Sequence, residues 1–138
     1  MPKILSHSTV SNKSYPGINI QYPISQLIVS GKKIIETRTY PIPAKYLNQE
    51  MALIETPGKE GKFKSRVIAI IKFTDCFQYK NKKEFYADVN RHCVTEDSIW
   101  AWEDKEKWGW NVQVVSILEH SQLMVKPKGI VFTKNIAV

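Results

Sequence analysis

Gly31-Lys32-Lys33-Ile34-Ile35-Glu36-Thr37-Arg38, entered from Tyr22-Pro23-Ile24-Ser25-Gln26-Leu27-Ile28-Val29-Ser30, is the stretch on which the fold turns. Pro23 suits the first turn of a helix, where a missing N–H costs nothing. Ile24, Leu27 and Ile28 fall at i, i+3 and i+4, which predicts a short amphipathic helix to about Ser30. Gly31 is its natural C-terminal stop. Ile34 to Thr39 is β-branched and alternating, so a strand comes next. On a strand Glu36 and Arg38 share one face, about 7 Å apart. Ile34 shares that face, which predicts partial burial, and buried charges need partners. Lys33, at the helix-to-strand junction, is placed to reach the mouth of the same cleft. An ion pair that only pins the strand has the same spacing as one that serves a ligand.

Outward from this unit, strands dominate. Gly17 to Ile20 alternates as a short strand, Met51 to Thr56 ends at the Pro57-Gly58 turn signal, and Arg66 to Phe77 is a nearly continuous apolar run. That run reads as a central strand buried on both faces. Asn81-Lys82-Lys83-Glu84 has the pattern of a capping box, with Phe85 and Val89 as the apolar face of a helix ending near His92. Ile99 to Trp102, Trp108 to Leu118 and Gly129 to Thr133 read as further strands. The expected class is mainly β with short helices, in a strongly bent sheet or barrel. Residues 1–16, polar and weakly periodic, are expected to form an N-terminal arm, and 17–138 a single domain.

The chain has 138 residues, 43% of them hydrophobic, enough for one core without crosslinks. Its longest purely apolar run, Val67 to Ile71, is too short to cross a bilayer. No secretory signal pattern opens the sequence, and Cys76 and Cys93 supply neither a disulfide framework nor a zinc spacing, so a cytoplasmic location without metal or cofactor is expected. His7, His92 and His120 are scattered. The net charge is +7. Residues 57–83 hold eight Lys/Arg against two acids, whereas 84–106 hold seven acids against two bases. Such a division orients a polyanion on one face.

Gly31, Lys33, Glu36 and Arg38 together spell G-x-K-x-x-E-x-R after a short helix, and this resembles the signature of the ASCH family, within the PUA-like superfamily. The later elements come in a similar order too. Pro41 and Pro43 are next, then a strand ending in Thr56-Pro57-Gly58, and the long strand running into Asp75-Cys76. Trp108-Gly109-Trp110 and Pro127-Lys128-Gly129-Ile130 resemble the closing pattern. The similarity spans about residues 18–133. It implies a PUA-like β-barrel with a helix before the first signature strand, and a cleft lined by the signature residues that binds RNA or nucleotides.

On that reading the ligand-binding residues are Lys33, Glu36, Arg38, Tyr40 and Trp110. Four tryptophans stand at 100, 102, 108 and 110, Trp100 and Trp102 on one strand face and Trp108 and Trp110 on another. They either plug the barrel end or offer a base a stacking surface, and Trp110 is the one within the family-like stretch. Lys59, Lys62, Lys64 and Arg66, on a loop and the strand it feeds, suit phosphate contacts. The expected partner is RNA or a nucleotide, with a protein partner the further possibility, no membrane, and a monomer.

The alternative is a small hydrolase of modified nucleosides or RNA, with Lys33 and Glu36 as the catalytic pair. Some ASCH proteins resemble nucleoside amidohydrolases using a Lys, a Thr nucleophile and a Glu. Here the Thr position holds Glu36, and Thr37 is shifted by one to the opposite face. A ribonuclease using Lys33 and Glu36 as acid and base is allowed by residue type alone. Binding is therefore ranked above catalysis.

Overall fold

A computed structural model describes residues 3–5 (backbone), 13–124 and 131–138. The elements run β1 Lys3–Leu5, β2 Ser14–Gln21, α1 Ile24–Val29, β3 Ile35–Arg38, a 3-10 turn Ala44–Tyr46, β4 Glu50–Thr56, β5 Arg66–Tyr79, α2 Lys82–Ala87, α3 Val89–His92, β6 Lys107–Leu123 and β7 Phe132–Ala137.

One mixed sheet has the order β1-β6-β5-β4-β2-β7, with β3 also on β6. β1 pairs in parallel with β6 and β2 with β4, and the other pairings are antiparallel. Strand β6 is shared, taking β3 along 108–111 and β1 along 116–118. β1 and β7 end the path, so among the described residues the sheet does not close into the expected barrel. It is mainly β and irregular: register shifts interrupt β5–β6 at three places and β4–β5 at one. Each such bulge bends a strand and raises its twist.

Both faces of the middle strands are covered, as the apolar run of β5 predicts. In β4, Met51 and Leu53 join one buried cluster with Ile18, Ile28, Phe73 and Trp110, while Ala52 and Ile54 join a second with Val67, Ile70 and Ile136. A third cluster, Tyr79, Phe85 and Val94, lies under α2 and α3.

The helix before the signature strand forms as predicted. Ile28 is fully buried, and Gly31 ends the turn at φ +82°, a conformation that costs glycine little. Asn81 caps α2, its Oδ1 accepting from Glu84 N at 2.8 Å, but Glu84 reaches the N–H of Lys80 rather than that of Asn81. The expected single helix to His92 is broken at Asp88 into α2 and α3. Ile99 to Trp102 is not a strand. Ser98 organises turns there, its Oγ taking Trp100 N–H at 3.0 Å and its carbonyl taking Ala101 N–H at 3.1 Å. Trp100 and Trp102 therefore share no strand face. Of the last expected strand, β7 begins at Phe132, and the Pro127-to-Ile130 pattern lies outside the described residues.

Candidate functional site

Register places the signature. Glu36 stands opposite Trp110 and Arg38 opposite Trp108, so the four side chains lie on one face of the β3–β6 pair. Ile35 and Thr37 stand opposite Asn111 and Gly109 on the other face. That side is close-packed too, since a Cβ on Gly109 would lie 2.6 Å from Phe77 and 3.1 Å from Ile35. β3 is thus covered on both faces at its start. Ile34 does not predict this. It precedes the strand, is 44% exposed, and uses its backbone as a link, N–H to Arg91 O and C=O from Val112 N–H, each at 2.9 Å.

Glu36 is buried between two cations. Arg38 donates from Nε and Nη2 to Oε2 at 3.2 and 2.8 Å, and Lys33 Nζ lies 3.7 Å from Oε1. Burial alone raises a carboxyl pKa, but the Arg38 and Lys33 charges, with hydrogen bonds from Arg38 and the Thr37 N–H, outweigh it and hold Glu36 below the usual carboxylate range. Burial pushes Lys33 down despite Glu36. Against burial, Glu36 and then Tyr40 raise Arg38. The expected pairing is present. The expected open position of Lys33 is not. Lys33 is 3% exposed, and its ammonium also donates to the backbone carbonyl of His92. Two hollows of about 370 and 220 Å³ are lined by other residues.

Trp110 is fully buried. Its ring meets Phe73 edge-on at 5.3 Å and Tyr40 at 5.7 Å and stacks on Phe132 at 6.4 Å, while its indole N–H donates to the Tyr40 carbonyl at 3.2 Å. It is a wall beneath Arg38, whose guanidinium carbon lies 5.7 Å from the ring centre, and offers no face to a base. Tyr40, 37% exposed, is the ring that reaches solvent here. The buried indole N–H of Trp108, one residue pair further along the same face, has no acceptor among the described residues.

The remaining expected positions divide. Lys59, Lys62 and Lys64 are exposed on the β4–β5 loop. Arg66, at the start of β5, is committed to Glu55, which it meets at 2.9 Å. Sequence reasoning misses Glu55, though the Glu55↔Arg66 register pair is implicit in a hairpin of two long strands. It also sets aside His92 and Cys93. His92 Nδ1 accepts from Val94 N–H at 2.9 Å, so Nε2 is the protonated nitrogen and donates to Phe85 O at 2.6 Å. The Cys93 thiol donates to the Lys32 carbonyl at 3.6 Å.

Three crystal structures of an ASCH protein from Zymomonas mobilis share this architecture. A serine-to-alanine variant of it aligns at TM-score 0.62 with 16% identity over 91% of this chain and 90% of that one. A tyrosine-to-phenylalanine variant gives 0.54 with 16% identity over 74% and 70%, and a further structure gives 0.53 with 18% identity over 74% and 68%. This is an ASCH-domain fold. No family model and no curated protein matches the sequence. In this ASCH fold the helix, glycine turn and signature strand bring Lys33, Glu36 and Arg38 into one network. No helix among the described residues is long and apolar enough to cross a membrane.

Proposed function

We propose that the chain binds RNA or a nucleotide at the Arg38–Tyr40 edge of the signature network, with Lys59, Lys62 and Lys64 contacting backbone phosphates. The observation that carries this reading is the balance at Glu36: one carboxylate serves two cations, Lys33 and Arg38. Two positive charges against one negative leave the cluster cationic. Glu36 has both oxygens engaged and is 8% exposed at the side chain, against 19% for Arg38. Of the N–H donors of the Arg38 guanidinium, one on Nε and one on Nη2 serve Glu36 and Tyr40 is a further partner, so only part of the fork is left for a ligand. A ligand therefore meets donors, not acceptors. Phosphate oxygens and the acceptor edges of bases suit such a site, and the exposed Tyr40 ring supplies a stacking surface. Both cysteines are free thiols, which suits the reducing cytoplasm.

Amide hydrolysis through a covalent intermediate needs a hydroxyl beside Lys33. Thr37 pairs with Gly109 on the face opposite Glu36, and Lys33 is engaged by the His92 carbonyl. Binding is the better fit.

The test is titration of short single-stranded RNA and of nucleoside monophosphates across a salt series. Log affinity should fall linearly with log salt. Arg38→Gln should weaken the monophosphates about 10-fold, as loss of a charge-assisted bond does. Salt-independent binding, or none, would sink the reading and favour a protein partner.

A further inference from the structure

The β4–β5 hairpin carries a second arrangement, remote in sequence from the signature. Glu55 is fully buried, and both of its oxygens are taken. Oε2 accepts from Ser25 Oγ at 2.7 Å and Gln26 Nε2 at 2.6 Å, and Oε1 accepts from Arg66 Nε at 2.9 Å. Arg66 Nη2 is also 2.9 Å from Oε1. These hydrogen bonds, first from Ser25, then from Gln26 and Arg66, overcome the effect of burial and hold Glu55 below the usual carboxylate range. The Arg66 charge is thus matched by an ionised partner in contact with it.

What Arg66 retains is its shape. Its guanidinium carbon lies 4.0 Å from the centre of the Phe63 ring, and Tyr22 braces that ring edge-on at 5.5 Å and 89°. Glu55 fixes one edge of the guanidinium, which lies over the Phe63 ring, yet a third of the side chain stays exposed. Arginine differs from lysine in this respect: its planar, weakly hydrated head stacks on π-systems even when its charge is already paired. Lys59, Lys62 and Lys64 stand exposed on the loop that leads to it.

We propose that Arg66, held by Glu55 and Phe63, is a stacking platform for an unpaired base of single-stranded RNA, flanked by lysines that take the phosphates. The inference rests on the RNA reading above and moves Arg66 from phosphate contact to base contact. A phosphate gains little from a guanidinium already neutralised at 2.9 Å, whereas a base gains a flat partner.

The experiment compares a short single-stranded RNA with an oligomer of equal length and charge made of abasic ribose phosphates, each titrated at several salt concentrations. Wild type should prefer the base-bearing strand. Arg66→Lys keeps a cation opposite Glu55 but no plane, and Phe63→Leu removes the support while leaving the Glu55 pair intact. Each should lose roughly 5-fold on RNA and nothing on the abasic strand, with an unchanged salt slope. The double variant Lys62→Ala, Lys64→Ala should weaken both strands and flatten the slope. Thermal melts confirm folding, and Phe63→Leu decides the matter if Arg66→Lys unfolds. Equal losses on both strands, or a flattened slope in Arg66→Lys, would make Arg66 a phosphate contact and overturn the inference while leaving RNA binding in place. Variants that bind RNA as wild type does would also overturn it. A wild type that binds neither strand removes both readings.

Discussion

Two buried carboxylates organise this domain, and they solve the same problem differently. Glu36 faces two cations from its own segment, Lys33 and Arg38. Glu55 faces one cation, Arg66, and two neutral donors, Ser25 and Gln26, on α1. The first cluster keeps a positive charge, the second is neutral. The first is local in sequence, while the second ties a helix to the β4–β5 hairpin. Ion pairing alone therefore says little about function. What distinguishes the two clusters is the charge left over after pairing and the part of each arginine that remains exposed.

Removing the carboxylates should separate them most sharply. Glu36→Ala strands the buried Lys33 and the half-buried Arg38 and should cost about 3 kcal/mol in urea unfolding. Glu55→Gln keeps one acceptor, for Arg66 or for Ser25 and Gln26 but not for both sides, leaves one cation partly in solvent, and should cost about 2 kcal/mol. Equal losses would erase the distinction. Lys33→Ala comes next. If Lys33 lined an open cleft its loss would spare the fold, but it is 3% exposed and fills space between Glu36 and His92. A loss of about 2 kcal/mol is expected from the emptied volume and the orphaned carbonyl. A variant as stable as wild type would return Lys33 to the surface.

Acid titration tests both clusters together. The folded pKa values of Glu36, Glu55 and Asp88 lie below their unfolded values, so the unfolded chain binds more protons in that window. Their contribution is complete above about pH 4.3 and is lost as pH falls through the depressed folded values. Glu36→Gln should flatten the stability profile below about pH 4 relative to wild type. An unchanged profile would mean that Glu36 is not ionised against Arg38. The smallest effect concerns catalysis: N-acylated cytidine should show no turnover above background by chromatography. Turnover abolished by Lys33→Ala would make the enzyme reading primary.

Much of this was legible in the residues. Gly31 marks the turn, the i, i+2 spacing marks the Glu36–Arg38 pair, and the apolar run marks β5 as central. The misreadings have a common cause. Periodicity says which side chains share a face, but not what covers it. Ile34 fits the alternation of the strand, although its backbone serves as a connector before it. Trp110 invites the role of a platform because it is a tryptophan in a motif, yet Phe73, Phe132 and Tyr40 enclose it. Glu55, near the polar end of β4, is explained by Arg66 across the hairpin together with donors that come 29 and 30 residues earlier in the chain.

His92 gives this arrangement an acid sensitivity of its own. The ring accepts from Val94 at one nitrogen and donates to Phe85 at the other, while the same residue's carbonyl seats Lys33. A second proton would set an N–H against the N–H of Val94. Burial, together with the Lys33 and Arg91 charges, keeps the ring neutral against the opposing pull of Phe85 and Asp88. The folded ring is harder to protonate than the unfolded one. Its contribution is therefore full above about pH 6.5 and is lost as pH falls toward the depressed folded value. Among the described residues, the first acid-sensitive joint is thus not a carboxylate. It is the corner between α3 and the signature, and loosening it frees the lysine that shares Glu36 with Arg38.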